Sequence, residues 1–377
     1  MKIQQYLKQN GEAWKLLSDE TFLLQRPLVF VFGNRFQLEN DKVYEEIRSL
    51  FPDGELIIGS SAGEILGENV YDDAIGVTAI EFEKSTFTVQ RTNILNYNRD
   101  AFRTGEILAA QIDAKKLKHV LVISEGSFVN GSALVDGLQT KHTSVSFTGG
   151  LCGDDARFEK TLLGYNESPK EGEVLAIAFY GESLEITKAQ FGGWTPFGPE
   201  RIITRSADNI LYELDEKPAL QLYKKYLGEK ASQLPQSALL YPLSVKSANK
   251  EEAIVRTILS IDEDNNAMIL AGDVPEGSMV QLMMANIDKI AEGAAKAAEL
   301  GMATRRQEPE LAILISCIGR KLVMDQRVEE EIEEVREVIG TSATITGFYS
   351  YGELAPFNGS QKCELHNQTM TLTLFSE

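Results

Sequence analysis

Two short loops bring serine, glycine and glutamate together directly after apolar runs, an arrangement that could bind a small polar ligand. The first loop, GSSAGEI, supplies two hydroxyls, open backbone amides and one carboxylate, from Gly59, Ser60, Ser61, Gly63 and Glu64. Glycine-flanked loops of this type can hold a carboxylate or phosphate with their N–H groups. The loop contains neither the Walker A pattern nor the dinucleotide GxGxxG pattern. A turn that only needs glycine dihedrals is the alternative interpretation.

The second loop, GFYSYGELAP, lies near the C-terminus and repeats the order of the first. Its candidate ligand-binding residues are Tyr349, Tyr351, Gly352 and Glu353. Two similar loops could flank one cleft, so we expect Glu64 and Glu353 to occupy equivalent positions. In this interpretation the pair of loops takes the charged ends of an amino-acid-like metabolite.

The elements that must position these loops form a repeated unit of strand, helix, strand and glycine loop. The strands are predicted from short apolar runs and the helices from apolar residues at helical spacing. The first copy spans residues 28–32, 44–50 and 56–58, the last spans 311–318, 328–339 and 343–346, and a looser copy spans 119–124, 131–138 and 145–150. The repetition suggests a duplication. The acidic run at residues 329–334 is predicted to be a solvated helix face.

Many short strands with a few helices predict an α+β (mixed α/β) fold of two domains, in which helices cover mixed sheets. The length of 377 residues also fits two domains. We expect an N-terminal helical extension at residues 1–26, a first domain at 27–213 and a second at 218–377.

A cysteine and a histidine are further candidates for chemistry. Cys152 lies in the glycine loop TGGLCGDD, but a nucleophilic cysteine needs a positioned base, and a buried structural thiol is the alternative. His366 begins the alternating strand HNQTMTLTL and could be the axial metal ligand of a haem, with a structural histidine as the other interpretation. His119 and His142 are expected at the surface or at a strand edge.

The composition excludes several classes of protein. Asp and Glu number 56 against 37 Lys and Arg, which gives a net charge of −19 and argues against nucleic acid and anionic membranes as partners. The apolar runs are too short to span a bilayer, and the N-terminus shows no secretory signal. Three widely spaced cysteines fit a reducing compartment. A cytoplasmic location is therefore expected.

Five motifs in this order resemble those of the FIST (F-box and intracellular signal transduction) family. They are GSSAGEI, TGGLCGDD, the long string GGWTPFGPERIITRSADNILYELDEKPALQLYKKYLG at residues 192–228, GDVPEGSMVQL and GFYSYGELAP. The resemblance covers nearly the whole chain. It implies a sensory module that binds small ligands, with no catalytic residues and with its output delivered to a partner protein.

One free-standing bacterial group in that family is similar in layout, binds haem as a nitric-oxide sensor and acts on a partner histidine kinase. The resemblance therefore implies a non-catalytic intracellular sensor that signals in trans, most specifically a haem-based nitric-oxide sensor with His366 as the iron ligand. A sensor of an amino-acid-like metabolite without haem is the alternative. A Cys152-dependent enzyme and a purely structural interaction protein are weaker alternatives.

Overall fold

The chain folds into a large body of three β-sheets and a smaller domain built on a fourth sheet. The computed structural model describes residues 1–18, 21, 23–234, 236–247 and 252–377. Helices cover mixed sheets in the large body, so the predicted α+β fold with two domains is confirmed. None of the described helices is long and apolar enough to cross a bilayer.

The strands of the described chain are numbered in sequence order. Those before residue 192 are β1 (Lys2–Gln9), β2 (Lys15–Leu16), β3 (Leu28–Gly33), β4 (Glu55–Ser60), β5 (Glu64–Leu66), β6 (Asn69–Tyr71), β7 (Ala74–Glu81), β8 (Thr86–Asn93), β9 (Leu117–Ser124), β10 (Ser146–Leu151), β11 (Leu163–Tyr165), β12 (Glu173–Tyr180) and β13 (Glu185–Phe191). The remaining strands are β14 (Thr195–Ala207), β15 (Ile210–Leu214), β16 (Lys217–Pro218), β17 (Leu243–Lys246), β18 (Ile254–Arg256), β19 (Ile258–Asp262), β20 (Ala267–Leu270), β21 (Met279–Met284), β22 (Leu311–Cys317), β23 (Thr344–Ser350), β24 (Gly352–Pro356), β25 (Cys363–His366) and β26 (Met370–Ser376).

The α-helices of the described residues follow the same numbering. They are α1 (Arg35–Leu38), α2 (Asp41–Leu50), α3 (Ala101–Ala109), α4 (Gly131–Gln139), α5 (Ala219–Leu227), α6 (Ile287–Met302), α7 (Ile318–Met324) and α8 (Glu330–Ile339). Most begin at a side-chain cap. Asn130, for example, accepts a hydrogen bond from the Ala133 amide and so starts α4.

Each of the three sheets in the body is centred on one copy of the repeated unit. In every copy two parallel strands flank a helix, namely β3 and β4, β9 and β10, and β22 and β23. An antiparallel strand then pairs with the first of the two, namely β7, β12 and β26 respectively. The looser middle copy is thus a full repeat, and the body has threefold pseudo-symmetry.

The short strand after each glycine loop leaves its own sheet and joins a neighbouring one. Strand β5 pairs with β23, β11 pairs with β4, and β24 pairs with β10. Each sheet is therefore completed by a strand from another copy of the unit. The exchange is cyclic around the body, and the inward faces of all three sheets share one apolar core that includes Phe30, Ile123 and Ile313.

The smaller domain is inserted into the third copy, between β13 and α6. It comprises strands β14 to β21 in one twisted sheet, with α5 packed against it around its own core. The chain enters and leaves the domain side by side, because Thr195 in β14 pairs with Met284 in β21. Beyond these two crossings the domain packs on the body through an apolar cluster that contains Met283 of the domain and Ile290 and Met324 of the body. Arg256 Nη1 also donates to the Leu365 carbonyl at 2.8 Å.

The prediction of a helical extension over residues 1–26 is wrong for the part of that segment that the structure describes. Residues 2–9 form β1, which pairs with β7 along its whole length, and residues 15–16 form β2. Helix-forming residues such as Gln and Lys are common there, but the open edge of β7 supplies a full ladder of hydrogen bonds. Tertiary pairing therefore overrides local propensity.

The prediction that the acidic run at residues 329–334 is wholly solvated is wrong at one position. Glu331 is fully buried, and its carboxylate pairs with the buried guanidinium of Arg320 at 2.7 Å. Ser316 and Tyr349 also donate hydrogen bonds to it, at 2.9 and 2.7 Å. The glutamate thus anchors α8 to the end of β22.

Candidate functional site

Three glycine loops meet at the end of the body where the parallel strands terminate. The Ala62 amide donates to the Tyr349 carbonyl at 2.9 Å, which joins the first loop to the second. The Gly153 amide donates to the Ser60 carbonyl at 3.0 Å, and the Tyr351 amide donates to the Leu151 carbonyl at 3.1 Å. The carboxyl ends of neighbouring parallel strands share one edge, so the loops form a closed ring there.

The two predicted Ser–Glu loops have the same internal hydrogen bond. Ser61 Oγ donates to Glu64 Oε1 at 2.6 Å, and Ser350 Oγ donates to Glu353 Oε1 at 2.6 Å. Both glutamates are buried from solvent. Burial raises the pKa of Glu64 well above its ordinary range and raises the pKa of Glu353 to about 8. The two carboxyls thus occupy equivalent buried positions, and burial disfavours the charged form of each.

The third loop of the ring carries an acid that the sequence analysis did not pick out. Asp154 is fully buried and accepts hydrogen bonds from Nε of Arg35 at 2.9 Å and Nε of Arg157 at 3.0 Å. Its position after Gly153 matches those of Glu64 after Gly63 and Glu353 after Gly352. The recurring Gly–acid pair is the sequence signal that could have revealed this loop.

The structure keeps most of the predicted ligand-binding residues inside the protein. Gly59, Ser60, Ser61, Gly63, Tyr349 and Gly352 are all buried. Gly63 has a φ of +136°, a backbone conformation that favours glycine. One of the nine predicted residues, Tyr351, also lines the cleft that is described next.

A cleft of about 550 Å³ lies between this end of the body and the inserted domain. Its body side consists of residues 126–130 after β9, Leu151 at the end of β10, residues 157–158, and Tyr351. Its other side consists of Asn209, Leu259 and residues 270–272 of the inserted domain. Ligand pockets commonly have this size and lie between domains.

The body wall of the cleft is aromatic. The rings of Phe158 and Tyr351 stack with centroids 4.4 Å apart, and the Tyr351 hydroxyl accepts from the Phe158 amide at 3.0 Å and donates to the Asp155 carbonyl at 3.1 Å. Phe158 adopts a positive φ of 55° and remains 39% exposed. An aromatic residue in this left-handed conformation is uncommon, and its ring is open to the cleft.

One charged side chain lines the cleft within the described part of the chain. The guanidinium of Arg157 is fixed by Asp154, and its Nη2 also lies 2.6 Å from Asp155 Oδ2. Across the mouth, Asn130 Nδ2 donates to Asp273 Oδ1 at 3.2 Å. This bond joins the body to the inserted domain, so the two walls of the cleft touch directly.

His366 does not present a free Nε2 to a haem. The imidazole is 2% exposed, its Nε2 shares a hydrogen bond with the Ala355 carbonyl at 2.9 Å, and the ring of Phe357 packs edge-on against it. Iron coordination through Nε2 would break that bond. The residues around His366 therefore do not fit a haem ligand in this conformation, and no group of three or more His, Cys, Asp or Glu in the described ranges could hold a metal ion.

The remaining candidates for chemistry are also enclosed. Cys152 is fully buried, and burial raises the pKa of its thiol, which is opposite to what a nucleophile needs. The expectation that His119 and His142 lie at the surface or at a strand edge is wrong, since both are buried and His119 lies in β9, between β10 and β12 of its sheet. His119 bonds to Ser146 and Thr148, and burial lowers its pKa to about 3.

The cleft residues on the inserted domain, together with Arg157 and Phe158, were not predicted from the sequence. Nothing in the local pattern around Leu259 or Leu270 distinguishes them from core residues of any strand. They become cleft residues because the insertion faces the loop ring, which is a property of tertiary arrangement alone.

Family models match almost the entire chain. The FIST N domain matches residues 27–217, and the FIST C domain matches residues 219–356. The chain belongs to the FIST family. FIST domains suggest a sensory, ligand-binding role in signalling.

An archaeal relative and two solved structures are similar to this FIST protein to different degrees. An uncharacterized protein of Methanocaldococcus jannaschii is 24% identical over 332 residues, which cover 79% of this chain and 62% of the relative's length. A chorismatase structure covers 100% of this chain and 98% of its own at 6% identity and a TM-score of 0.34. A cyanuric acid hydrolase from A. caulinodans covers 78% and 99% respectively at 11% identity and a TM-score of 0.18. Similarities at these TM-scores support no inference about this chain.

Proposed function

We propose that this FIST protein is a non-catalytic sensor that binds a small molecule in the cleft between the three-sheet body and the inserted domain. The observation that carries the proposal is that both parts contribute to the cleft walls. A ligand held by Tyr351 on one side and Leu259 on the other stabilises one relative orientation of the two parts. Ligand occupancy thereby shifts a population of conformers, which a partner protein reads in trans.

The connections of the inserted domain suit such a movement. The chain crosses between the two parts at the paired residues Thr195 and Met284, while Trp194 Nε1 donates to the Gln368 carbonyl at 2.8 Å. Gln368 in turn donates from Nε2 to Thr257 Oγ1 at 3.0 Å. The two adjacent crossings can act as a hinge, and movement about them would repack the apolar cluster that contains Met283, Ile290 and Met324.

A thermal-shift screen of a metabolite library tests the proposal. Leu259→Trp fills the cleft from the inserted domain, and Leu50→Trp, at an exposed leucine that ends α2, is the matched control. We expect stabilising ligands to lose their effect in the Leu259 variant and to keep it in the control. Ligands that stabilise both variants equally would place the binding site elsewhere.

Two narrower versions differ in the ligand. An amino-acid-like metabolite bound by the Glu64 and Glu353 loops requires those buried carboxyls to become accessible. In that version, Glu64→Gln plus Glu353→Gln should abolish the response to amino acids.

The second version, haem with nitric oxide, requires His366 to break its hydrogen bond with the Ala355 carbonyl. An absorption spectrum of protein purified from cells supplied with a haem precursor tests it, since a His366-dependent Soret band would support that version.

The identity of the partner protein that reads this change is also part of the proposal. The haem version resembles sensors that act on a histidine kinase, and any signalling protein that reads the orientation of the two parts would serve the same role. Autophosphorylation of a histidine kinase from the same organism, measured with the ligand-free and the ligand-bound protein, tests it. A rate that differs between the two states supports a kinase partner.

A further inference from the structure

The chemistry of the cleft walls selects one class of ligand. We infer that the ligand is a small monoanion, such as a carboxylate, attached to a flat apolar body, and this inference rests on the proposed function of the cleft. Among the described residues that line it, Arg157 is cationic, none is acidic, and the larger side chains are apolar or aromatic. The polar end and the apolar end of the ligand are therefore recognised by different parts of the wall.

Arg157 supplies a fixed hydrogen-bond donor for the anionic group. Its Nε and Nη2 are held by Asp154 and Asp155, and no hydrogen bond from its Nη1 is seen among the described residues. Its guanidinium also lies 4.8 Å from the ring centroid of Phe36. The side chain is thus oriented before a ligand arrives, which lowers the entropy lost on binding.

The charges around Arg157 limit its attraction for an anion to one hydrogen-bond donor, Nη1. Arg35 shares Asp154 with Arg157 and also lies 3.4 Å from both Glu39 and Glu159, and Lys160 pairs with Glu39. Three cationic groups therefore stand beside four carboxylates. Their charges largely cancel at a distance in a chain of net charge −19. A ligand anion therefore gains from one charge-assisted hydrogen bond at Nη1 rather than from a broad positive field.

The rest of the wall fits a flat apolar group. The stacked rings of Phe158 and Tyr351 form one face, and Leu259 and Leu270 of the inserted domain face the same cleft. Leu259 is 42% exposed, which leaves its side chain available for contact. A planar ring placed there would contact an aromatic surface on one side and branched aliphatic groups on the other.

The same wall disfavours an ammonium group. No described lining residue is acidic, and the carboxylates next to the cleft are already engaged, Asp154 and Asp155 by Arg157 and Asp273 by Asn130. An amine or a zwitterion would therefore lose water around its ammonium without gaining an unengaged carboxylate partner. Burial of an unpaired charge is costly. The cleft therefore distinguishes a carboxylic acid from the corresponding amino acid, which separates this inference from an amino-acid ligand.

Four probes on one carbon skeleton test the ligand class by isothermal titration calorimetry on the full chain. They are 3-phenylpropionate, phenylalanine, 2-phenylethylamine and 3-phenylpropanol, which carry an anion, a zwitterion, a cation and a neutral hydroxyl. We expect 3-phenylpropionate to bind about tenfold more tightly than the alcohol, which is the difference between a charge-assisted and a neutral hydrogen bond. The zwitterion and the amine are expected to bind more weakly than the alcohol.

Two arginine variants locate the preference. Arg157→Gln should bring 3-phenylpropionate to the affinity of the alcohol and leave the alcohol within about twofold. Arg103→Gln, at an exposed arginine of α3 that pairs with Glu106, should leave the ranking unchanged. If Arg157→Gln fails to fold, the order of affinities of the four probes for the wild-type protein still tests the ligand class.

The outcomes separate this inference from the proposed function. Equal binding of all four probes, tighter binding of the zwitterion, or no measurable binding of 3-phenylpropionate overturns the ligand class. The proposed function fails instead if library ligands keep their effect in Leu259→Trp. If a zwitterionic or cationic library ligand stabilises the wild type but not Leu259→Trp, the cleft is still the binding site and the inference of a monoanionic ligand is wrong.

Discussion

Glu353 keeps a proton because it is buried, and this makes stability depend on pH. Its pKa is raised to about 8 by burial, whereas an unfolded glutamate has its ordinary value of 4.5. The folded state therefore binds more protons than the unfolded state between these two values. The contribution of Glu353 to stability is fully present below pH 4.5 and falls as pH rises toward 8, by at most about 1.4 kcal/mol per pH unit.

Glu353→Gln is expected to flatten part of this dependence. A glutamine amide can accept from the Thr369 amide through its oxygen and donate to Ser350 through its nitrogen, so it mimics the protonated carboxyl. Urea unfolding of both proteins at pH 5, 6, 7 and 8 measures the difference. Because burial also raises the pKa of Glu64, some slope should persist in the variant. An identical slope in both proteins would show that Glu353 ionises freely.

The three cysteines should be unreactive in the native protein. Cys152, Cys317 and Cys363 are all buried and free, and burial raises the pKa of each thiol. Reaction with Ellman's reagent at pH 8 is expected to be slow and to follow global unfolding when urea is added. Rapid modification of one thiol in the absence of denaturant would contradict the burial and reopen a role for Cys152.

At the scale of residues, the sequence pointed to the right loops but not to the exposure of their side chains. The pairing of Gly63–Glu64 with Gly352–Glu353 was readable because both motifs repeat. The burial of these carboxyls could not be predicted, because it depends on loops from three distant parts of the chain closing into one ring. Arg157 and Phe158 were missed for the same reason.

Helix α8 depends on one buried charge. Glu331 receives hydrogen bonds from Ser316, Arg320 and Tyr349, and its removal leaves the buried Arg320 guanidinium without its carboxylate. Glu331→Ala is expected to lower the free energy of unfolding by about 3–5 kcal/mol. Chemical denaturation monitored by circular dichroism measures this change.

Glu333→Ala on the same helix is the matched control. Glu333 is exposed, two residues along the chain from Glu331, and its removal should change stability by no more than about 0.5 kcal/mol. Equal effects at the two positions would mean that the loss arises from helix propensity or charge number. A small effect at both would contradict the buried ion pair.

At the scale of elements, the strand, helix and strand of each unit were predictable from hydrophobic periodicity. Residues 28–32, for example, were expected to form a strand and lie within β3. The destination of the strand after each loop was not predictable, because β5, β11 and β24 are short and pair with residues far away in the sequence. The N-terminal strand β1 was missed because its pairing with β7, rather than its composition, determines its conformation.

At the scale of the whole molecule, removing the inserted domain and dividing the chain into two pieces should have different effects on folding. Replacing residues 195–284 with a short glycine-serine linker should leave a folded body, because the two ends of the insertion are paired neighbours. Separating the chain into residues 1–215 and 216–377 should leave neither piece folded alone, because β26 pairs with β13 and β24 pairs with β10 across the cut.

Size-exclusion chromatography and heteronuclear NMR of each piece measure these outcomes, with co-expression of the two halves as the control. Well-dispersed spectra from either half alone would contradict the exchange of strands. The same experiment tests the sequence-based division into domains at 27–213 and 218–377, which remains a prediction. In the structure that division falls between β15 and β16, which pair with each other.

The cyclic exchange of strands also has a consequence for synthesis on the ribosome. The sheet around β9 and β10 awaits β24 and β25, and the sheet around β22 and β23 awaits β26, all of which lie within residues 352–376. In a nascent chain the sheet around β9 and β10 therefore keeps an open edge until β24 and β25 have been synthesised about 200 residues later. Such a chain has a long interval in which unpaired strands can associate with other molecules. Dependence on chaperones during synthesis is the expected biological counterpart of this topology.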